Sequence, residues 1–154
     1  MKILIVALLL ALPTQFALAA PTNFALAEPS ATGSDSDIVG NWHYDGFFYQ
    51  DHRYPKPDAD LNVEFTFNAD HTERLYWKRT SETGFCERKA NWEFANGILK
   101  QEVTWINPSN DPSCAKDPDM QMPRVTQNKV ELYGAQFNMH MDLNGQDFIY
   151  ILIR

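Results

Sequence analysis

The stretch "GFCERKANWEFANGILKQEVTWI", from Gly84 to Ile106, has the pattern of a β-hairpin. Its middle holds Asn96 and Gly97, the strongest short hairpin signal, because both residues accept the positive φ angles of a type I′ turn. This turn fixes which residues of the two strands lie opposite each other. The pairs predicted for one face are Phe94 with Leu99, Trp92 with Gln101, Ala90 with Val103, and Arg88 with Trp105. Since that face is mostly apolar, we expect it to point into a core.

A second hairpin is predicted at the end of the sequence, where Asn144 and Gly145 separate two apolar-rich segments. The pairs predicted for its inward face are Met141 with Phe148, Met139 with Tyr150, Phe137 with Leu152, and Ala135 with Arg154. The other face of the last strand carries Ile149, Ile151 and Ile153. A strand that is apolar on both faces is expected to be central, or to have its outer face covered.

Period-two alternation recurs along most of the chain, with turn signals between the alternating segments. The segments are "NWHYD" with "FFYQ", then "LNVEFTF", "TERLYWKR", "GFCERKANWEF", "ILKQEVTWI", "KVELY", "AQFNMHMDL" and "QDFIYILIR". Strands joined by hairpins can close on themselves and so remove their exposed edges. We therefore predict an all-β fold, an antiparallel up-and-down β-barrel of about eight strands. Its interior would be just wide enough for side chains or one small ligand.

The first residues differ in composition from the rest. Lys2 precedes the apolar run "ILIVALLLAL", and small residues follow at "ALA", so residues 1–19 are predicted to be a secretory signal peptide. A membrane anchor is the alternative, but Pro13 interrupts the run before the roughly 18 residues that a spanning helix needs. Residues 20–37 are predicted to be a flexible leader and residues 38–154 the barrel domain. The mature chain is expected to be periplasmic or secreted, without a membrane span.

The charge balance excludes one class of partner. The chain carries 13 basic and 20 acidic residues, and loss of the signal peptide removes only Lys2 from this count. The mature chain is therefore one unit more negative than the net charge of −7 of the whole sequence. Binding of nucleic acid needs a basic surface that releases counterions from phosphates, so we expect no nucleic-acid partner.

The sequence holds two cysteines, Cys86 and Cys114. An even pair in an exported chain most often forms one disulfide. Two separate thiols or a half-built metal site are the alternatives, although the spacing does not resemble Cys-x-x-Cys. Cys114 lies in a long segment with four prolines and no periodicity, residues 107–124. A loop of this length inside a compact domain is usually functional or disordered, and a bond to Cys86 would fix it across the barrel.

"GNW", from Gly40 to Trp42, opens the first predicted strand, and "FTFNADHT" forms a later hairpin. With the succession of antiparallel strands, these residues resemble the lipocalin-like families of the calycin superfamily. The resemblance implies a barrel in which Gly40 admits the chain closely and Trp42 closes one end. It also implies that Arg154, at the end of the last strand, packs over the Trp42 ring by a cation–π contact. Binding of a small molecule is implied as well.

No pattern in the chain favours catalysis. No Gly-x-Ser-x-Gly occurs, and the serines that follow the signal peptide fall in the leader or in loops. The four histidines show neither His-Glu-x-x-His nor His-x-His spacing. A metal site built from distant strands, with His43 or His140, is the less common alternative to scattered surface histidines. We therefore expect no enzyme activity, no cofactor and no metal.

The predicted inward face suggests a ligand site instead. Its candidate residues are Arg88, Trp92, Trp105, Tyr150 and Trp77. A buried guanidinium needs a partner, since an isolated charge is costly away from water. That partner is either an internal carboxylate or the anionic end of a ligand, which Arg binds with two hydrogen bonds. The aromatic side chains either line a cavity or fill it.

Two functions follow from these patterns. The first is an exported barrel that binds a small apolar or amphipathic molecule, with Arg88 near the polar end of the ligand. The second is an exported module for protein interaction, resembling a protease inhibitor or an envelope factor, on a filled barrel. It would use the long loop with Met120 and Met122, and an aromatic rim of Phe47, Phe48 and Tyr49.

Overall fold

The computed structural model describes residues 33–143 and 145–154. The strands are β1 Gly40–Tyr49, β2 His52–Pro55, β3 Leu61–Phe67, β4 Thr72–Arg79, β5 Cys86–Ala95, β6 Ile98–Ile106, β7 Val125–Tyr133, β8 Gln136–Leu143 and β9 Gln146–Ile153. A one-turn helix, α1 Asp35–Ile38, precedes them, and two short 3-10 helices, Pro112–Lys116 and Pro118–Met120, lie between β6 and β7. The predicted signal peptide, residues 1–19, and most of the predicted leader, residues 20–37, lie outside the described residues. Helix α1 covers the last three residues of the predicted leader and Ile38, the first residue of the predicted barrel domain.

Eight of the strands form a closed antiparallel barrel, which confirms the predicted fold. Each strand from β3 to β8 pairs with the next one along the chain, and β1 pairs with both β3 and β9. The short strand β2 lies beside the second half of β1, from Gly46 to Tyr49, beyond the part of β1 that pairs with β3. Closure removes the sheet edges that would otherwise present unpaired backbone groups.

The register of the β5–β6 hairpin is confirmed for three of the four predicted pairs and is wrong for the fourth. Phe94, Trp92 and Ala90 lie opposite Leu99, Gln101 and Val103. Beyond Ala90 a β-bulge inserts an extra residue into β6, so that Arg88 faces Ile106 and Lys89 faces Trp105. One extra residue exchanges the two faces of a strand. Trp105 therefore lies outside the barrel.

The β8–β9 hairpin has the predicted register. Met141, Met139 and Phe137 lie opposite Phe148, Tyr150 and Leu152. The backbone N–H of Arg154 donates to the carbonyl of Ala135 at 3.1 Å. The outer face of β9 is covered in part, since Ile151 is fully buried, Ile149 is half-buried and Ile153 is 39% exposed.

One end of the barrel is closed by Trp42. Its indole is fully buried, and its Nε1 donates to the carbonyl oxygen of Ile38 in α1 at 2.7 Å. The guanidinium carbon of Arg154 lies 4.6 Å from the ring centroid of Trp42, which is the cation–π contact that the resemblance implied. Gly40, two residues before Trp42, has a φ of 139°, a value that residues other than glycine rarely adopt. From Trp42 the packed interior continues into the barrel through further fully buried side chains: Phe67, Leu99, Trp92, Phe137 and Leu152.

The long segment 107–124 folds across the opposite, open end. A disulfide joins Cys86 in β5 to Cys114 in the first 3-10 helix, as predicted. Asp111 and Asp117 cap the two 3-10 helices by accepting hydrogen bonds from the backbone N–H groups of Ser113 and Asp119. Met120 is 4% exposed and belongs to the core cluster of the barrel. The segment is therefore an ordered cover that inserts one side chain into the interior.

Candidate ligand-binding site at the open end of the barrel

An apolar cavity of about 200 Å³ lies between the covering segment and the barrel interior. Strands β3, β4, β8 and β9 supply its apolar wall, because these positions alternate inward along each strand. The wall includes Val63, Phe65, Leu75, Trp77, Met139 and Tyr150. Asp117 and Asp119 of the covering segment, together with Arg79, form its polar border. We call this space the apolar cavity.

A second cavity of about 260 Å³ adjoins the first and has a polar lining. The two share Phe65, Asp119, Met139 and Met141, so they are neighbouring compartments of one interior. The polar residues around the second cavity are Arg88, Gln101, Asp119, Arg124, Thr126, Gln127, Asn128 and Asp142. We call this space the polar cavity.

The polar cavity lies where β7 and β8 separate. Their pairing runs from Tyr133 with Gln136 to Val130 with Met139. The first half of β7 pairs with β6 on its other side, where Lys129 to Val125 lie opposite Ile98 to Glu102. The polar cavity is bordered by Asn128 of this half of β7 and by Met141 and Asp142 of β8. It thus has a side opening in the barrel wall.

Below the two cavities, three polar side chains meet inside the barrel. Arg88 Nη1 lies 3.2 Å from Glu73 Oε1, and their side chains are 5% and 0% exposed. Gln101 Nε2 donates to Glu73 Oε2 at 2.6 Å. The internal carboxylate that the sequence left open as the partner of Arg88 is therefore Glu73. Burial raises the pKa of Glu73, and this effect exceeds the opposing attraction of Arg88 and the hydrogen bond from Gln101.

Burial also raises the pKa of two tyrosines near the cavities, Tyr44 and Tyr150. Burial raises the pKa of Tyr44 to about 12, with a smaller contribution from neighbouring Tyr150, whose ring centroid lies 4.8 Å away. Burial raises the pKa of Tyr150 as well, followed by the negative charges of Asp119 and Asp117. Both hydroxyls stay protonated at neutral pH, and that of Tyr150, which lines the apolar cavity, can donate a hydrogen bond to a bound molecule.

The five candidate ligand residues lie in different parts of the structure. Trp77 and Tyr150 line the apolar cavity and Arg88 lines the polar cavity. Trp92 is 1% exposed, packs edge-on against Phe67 and donates from Nε1 to the carbonyl of Thr72, so it belongs to the closed end. The predicted inward position of Trp105 is wrong: its side chain is 37% exposed on the outer face, away from both cavities, and Lys89 Nζ lies 5.1 Å from its ring centroid. The bulge in β6 is the cause.

Sequence reasoning missed Glu73 and Asp119. Glu73 has the same phase in β4 as Leu75 and Trp77, so the alternation already placed it inward. The inward carboxylate next to the inward Arg88 of β5 was the available signal. Asp119 belongs to a segment without periodicity, and its position over the cavities could not be read from a pattern.

A larger depression, of about 830 Å³, lies outside the barrel. It is an open groove along the outer faces of β1, β7, β8 and β9, bordered by Phe48, Tyr133 and Ile149. His140 lies beside it, with Nδ1 2.9 Å from Asp147 and Nε2 3.5 Å from Glu131. Of the predicted aromatic rim, Phe48 and Tyr49 line this groove, while Phe47 stacks between Tyr54 and Phe148. The rim is therefore divided between two surfaces.

Neither a metal cluster nor a membrane helix occurs in the described part of the chain. Among residues 33–143 and 145–154, no group of three His, Cys, Asp or Glu side chains is arranged to hold a metal ion. The helices described there are all too short to cross a membrane.

Comparison with known proteins finds similarity at the level of structure. Neither the protein-family models nor the curated proteins give a match to this chain. Among solved structures, a lipocalin-like protein from Bacteroides uniformis is similar, with a TM-score of 0.53 and 14% sequence identity. The similarity covers 77% of this chain and 98% of the other. At this identity the likeness concerns the fold, and together with the closed eight-stranded antiparallel barrel it identifies this chain as having the lipocalin-like fold.

Proposed function

We propose that this chain is an exported protein that binds a small apolar or amphipathic molecule at the open end of its barrel. The observation that carries this proposal is the apolar cavity, whose wall comes from four strands and whose only charged lining is at its border. A concave apolar site with a few polar groups is the usual form of a small-molecule site. Binding of this kind requires no catalytic group, and we propose no enzyme activity.

The size of the apolar cavity limits the ligand. A water molecule occupies about 30 Å³ in the liquid, so 200 Å³ accommodates on the order of seven heavy atoms. At roughly 1 kcal/mol per heavy atom, such a group binds with a Kd on the order of 10 μM. The ligand is thus a short-chain or single-ring molecule, or a longer one whose apolar end enters the cavity.

Export is supported by the signal-like residues 1–19 and by the disulfide between Cys86 and Cys114. Disulfides persist mainly in oxidising compartments. Cell fractionation with mass spectrometry of the recovered protein tests this part of the proposal. A mature chain beginning at Ala20 outside the cytoplasm is expected, and recovery of the full-length, reduced chain from the cytoplasm would refute it.

The binding proposal is tested by filling the apolar cavity. Val63 lines the cavity, and the change Val63→Phe adds a ring to its wall. Displacement of a fluorescent lipophilic probe is measured on the wild type, on this variant and on the matched control Val125→Phe, whose position is 54% exposed. We expect Val63→Phe to weaken probe binding at least about tenfold, which corresponds to 1.4 kcal/mol, and the control to bind as the wild type does. Equal binding by all three proteins would contradict the proposal.

A second function is favoured by one surface observation. Met122 and Val125, where the covering segment meets β7, are 59% and 54% exposed. Exposed apolar side chains on one short segment suit a protein partner. We propose this interaction as the alternative, and the variant pair Met122→Asp and Val125→Asp separates the two functions. It would abolish association with a protein partner and leave displacement of the lipophilic probe unchanged.

A further inference from the structure

The groove of about 830 Å³ on the outside of the barrel, bordered by Phe48, Tyr133 and Ile149, shares no lining residue with the apolar cavity or the polar cavity. We call it the outer groove. Its volume is about four times that of the apolar cavity. We infer that the outer groove binds an extended, positively charged peptide segment of a protein partner. This inference goes beyond the proposed function, because it concerns a second site with a different class of ligand.

Aromatic and apolar side chains form one part of the lining. Phe48 of β1 lies opposite Ile149 of β9, and both are half-buried. Tyr133 of β7 and Tyr49, at the end of β1, line the same space. Aromatic rings bind apolar groups and also attract cations to their faces. The lining therefore suits lysine and arginine side chains, which carry a positive charge on an apolar stem.

The charged residues of the lining are all acidic. They are Asp51, Glu131 and Asp147, and no described lysine or arginine belongs to the lining. Lys129 Nζ lies 2.6 Å from Glu131 Oε1, and His140 lies between Glu131 and Asp147. Asp51 is exposed and forms an ion pair with none of the described residues. A cationic ligand is thus complementary to the outer groove, and an anionic one is repelled.

A buried amide in the lining favours a peptide over a simple cation. Asn138, on β8, is 6% exposed and lies between Glu131 of β7 and the fully buried Ile151 of β9. Its Oδ1 accepts a hydrogen bond from Gln136 Nε2 at 2.8 Å, whereas its Nδ2 donates to no acceptor in the part of the chain that the structure describes. The donor can be satisfied by a backbone carbonyl oxygen, which a peptide carries at every residue. A simple cation offers no such acceptor.

The length of the outer groove favours an extended segment. The lining includes Gln136 of β8 and Asp147 of β9, which lies opposite Asp142 of β8. Gln136 and Asp142 are six residues apart, which corresponds to about 20 Å along a strand. An extended peptide of about six residues spans this distance, and its alternate side chains point to one side. Basic residues at alternate positions would therefore all face the groove.

Three probes, each blocked at both ends, test the inference on the intact mature protein. They are a hexapeptide in which arginine alternates with alanine, the same peptide with glutamate in place of arginine, and N-acetylarginine amide. Titration followed by two-dimensional NMR of the backbone amides locates the binding and measures its affinity. We expect the arginine peptide to shift signals of β1, β7, β8 and β9 and to bind at least about tenfold more tightly than the other two probes. Its affinity should fall as salt is added.

Two variants and one matched control assign the binding to the outer groove. Asp51→Asn removes a charge at a φ of 61°, a backbone conformation that asparagine also adopts, and should weaken the arginine peptide about threefold to fivefold. Asn138→Leu removes the buried donor at similar size and should weaken it about threefold or more. The control Glu102→Gln removes a charge from an exposed position of β6 outside the groove and should leave the affinity unchanged. The amide spectrum shows whether each variant is folded, and Asp51→Asn, at an exposed turn, carries the test if Asn138→Leu is not.

Four results would overturn the inference. Equal weakening by Asp51→Asn and Glu102→Gln would show diffuse attraction to an acidic surface. Equal affinities for the arginine and glutamate peptides would show that positive charge is not recognised. Equal affinities for the arginine peptide and N-acetylarginine amide would show that the groove takes a small cation, and signal shifts confined to the two cavities would place the binding inside the barrel. The arginine peptide should leave displacement of the lipophilic probe unchanged, so the proposed function stands or fails separately.

Discussion

Removal of the disulfide between Cys86 and Cys114 should destabilise the protein mainly through its unfolded state. The two residues are 28 positions apart in the sequence, and the bond joins the covering segment to β5. In the chain-entropy account, closing a loop of about this length lowers the entropy of the unfolded chain by roughly 12 cal/mol/K, or about 3.6 kcal/mol at 25 °C. The double change Cys86→Ala with Cys114→Ala should therefore cost about 3 to 4 kcal/mol.

Urea unfolding followed by circular dichroism measures this cost. Because the unfolded chain becomes less restricted and more exposed, the slope of free energy against urea should also increase. Reduction of the wild type under the same conditions is the control for the small change of side chain at two buried positions. It should reproduce most of the loss.

A second variant separates the unfolded-state effect from packing of the covering segment. Met120→Ala removes a buried side chain of that segment and should cost about 2 to 3 kcal/mol. If the disulfide acts on the unfolded chain, the two losses should add within about 0.5 kcal/mol. A loss below about 1 kcal/mol for the double cysteine variant, or strong non-additivity with Met120→Ala, would refute the reasoning. Either result would mean that the disulfide acts by holding native contacts.

Three further outcomes are expected. Arg88→Met should destabilise the fold by about 3 to 5 kcal/mol in urea unfolding, because it leaves Glu73 buried without a countercharge, and the added change Glu73→Leu should recover most of that loss. Burial raises the pKa of Glu73 in the folded state, so the folded protein takes up a proton at a higher pH than the unfolded chain does. The free energy of unfolding of the wild type, relative to that of Glu73→Gln, should therefore rise as the pH falls from the raised pKa toward the ordinary value. A difference that does not depend on pH would contradict this. Arg154→Ala should cost about 0.5 to 1 kcal/mol through loss of its contact with Trp42, whereas a neutral result in thermal unfolding would show that the contact adds nothing.

The fold was predictable because short signals agreed with one another. Asn96 and Asn144 each precede a glycine, and these two turns set the registers of β5–β6 and β8–β9 over most of their length. The alternation in the other strands left few topologies besides a closed barrel. The exception was local: the bulge in β6 next to Thr104 has no turn residue to mark it, so the prediction continued the register and placed Trp105 inside.

The site was predictable only in part. Arg88, Trp77 and Tyr150 followed from strand phase, which is a local property. Glu73 has the same strand phase as Trp77 and so lies on the inward face of β4. The pattern did not single it out because charged residues in strands usually face outward. The positions of Asp119, Met120 and Arg124 depend on how a non-periodic segment folds back under its disulfide, and periodicity carries no information about that path.

The outward position of Trp105 has a spectroscopic consequence. The four tryptophans occupy distinct surroundings: Trp42 and Trp92 are buried at the closed end, Trp77 borders the apolar cavity and Trp105 is partly in water. Trp105 should emit at the longest wavelength, and the ammonium group of Lys89 beside its ring should concentrate iodide there and make it the most readily quenched. The change Trp105→Phe would remove this solvent-exposed emission and leave Trp77 as the fluorophore nearest to a bound ligand.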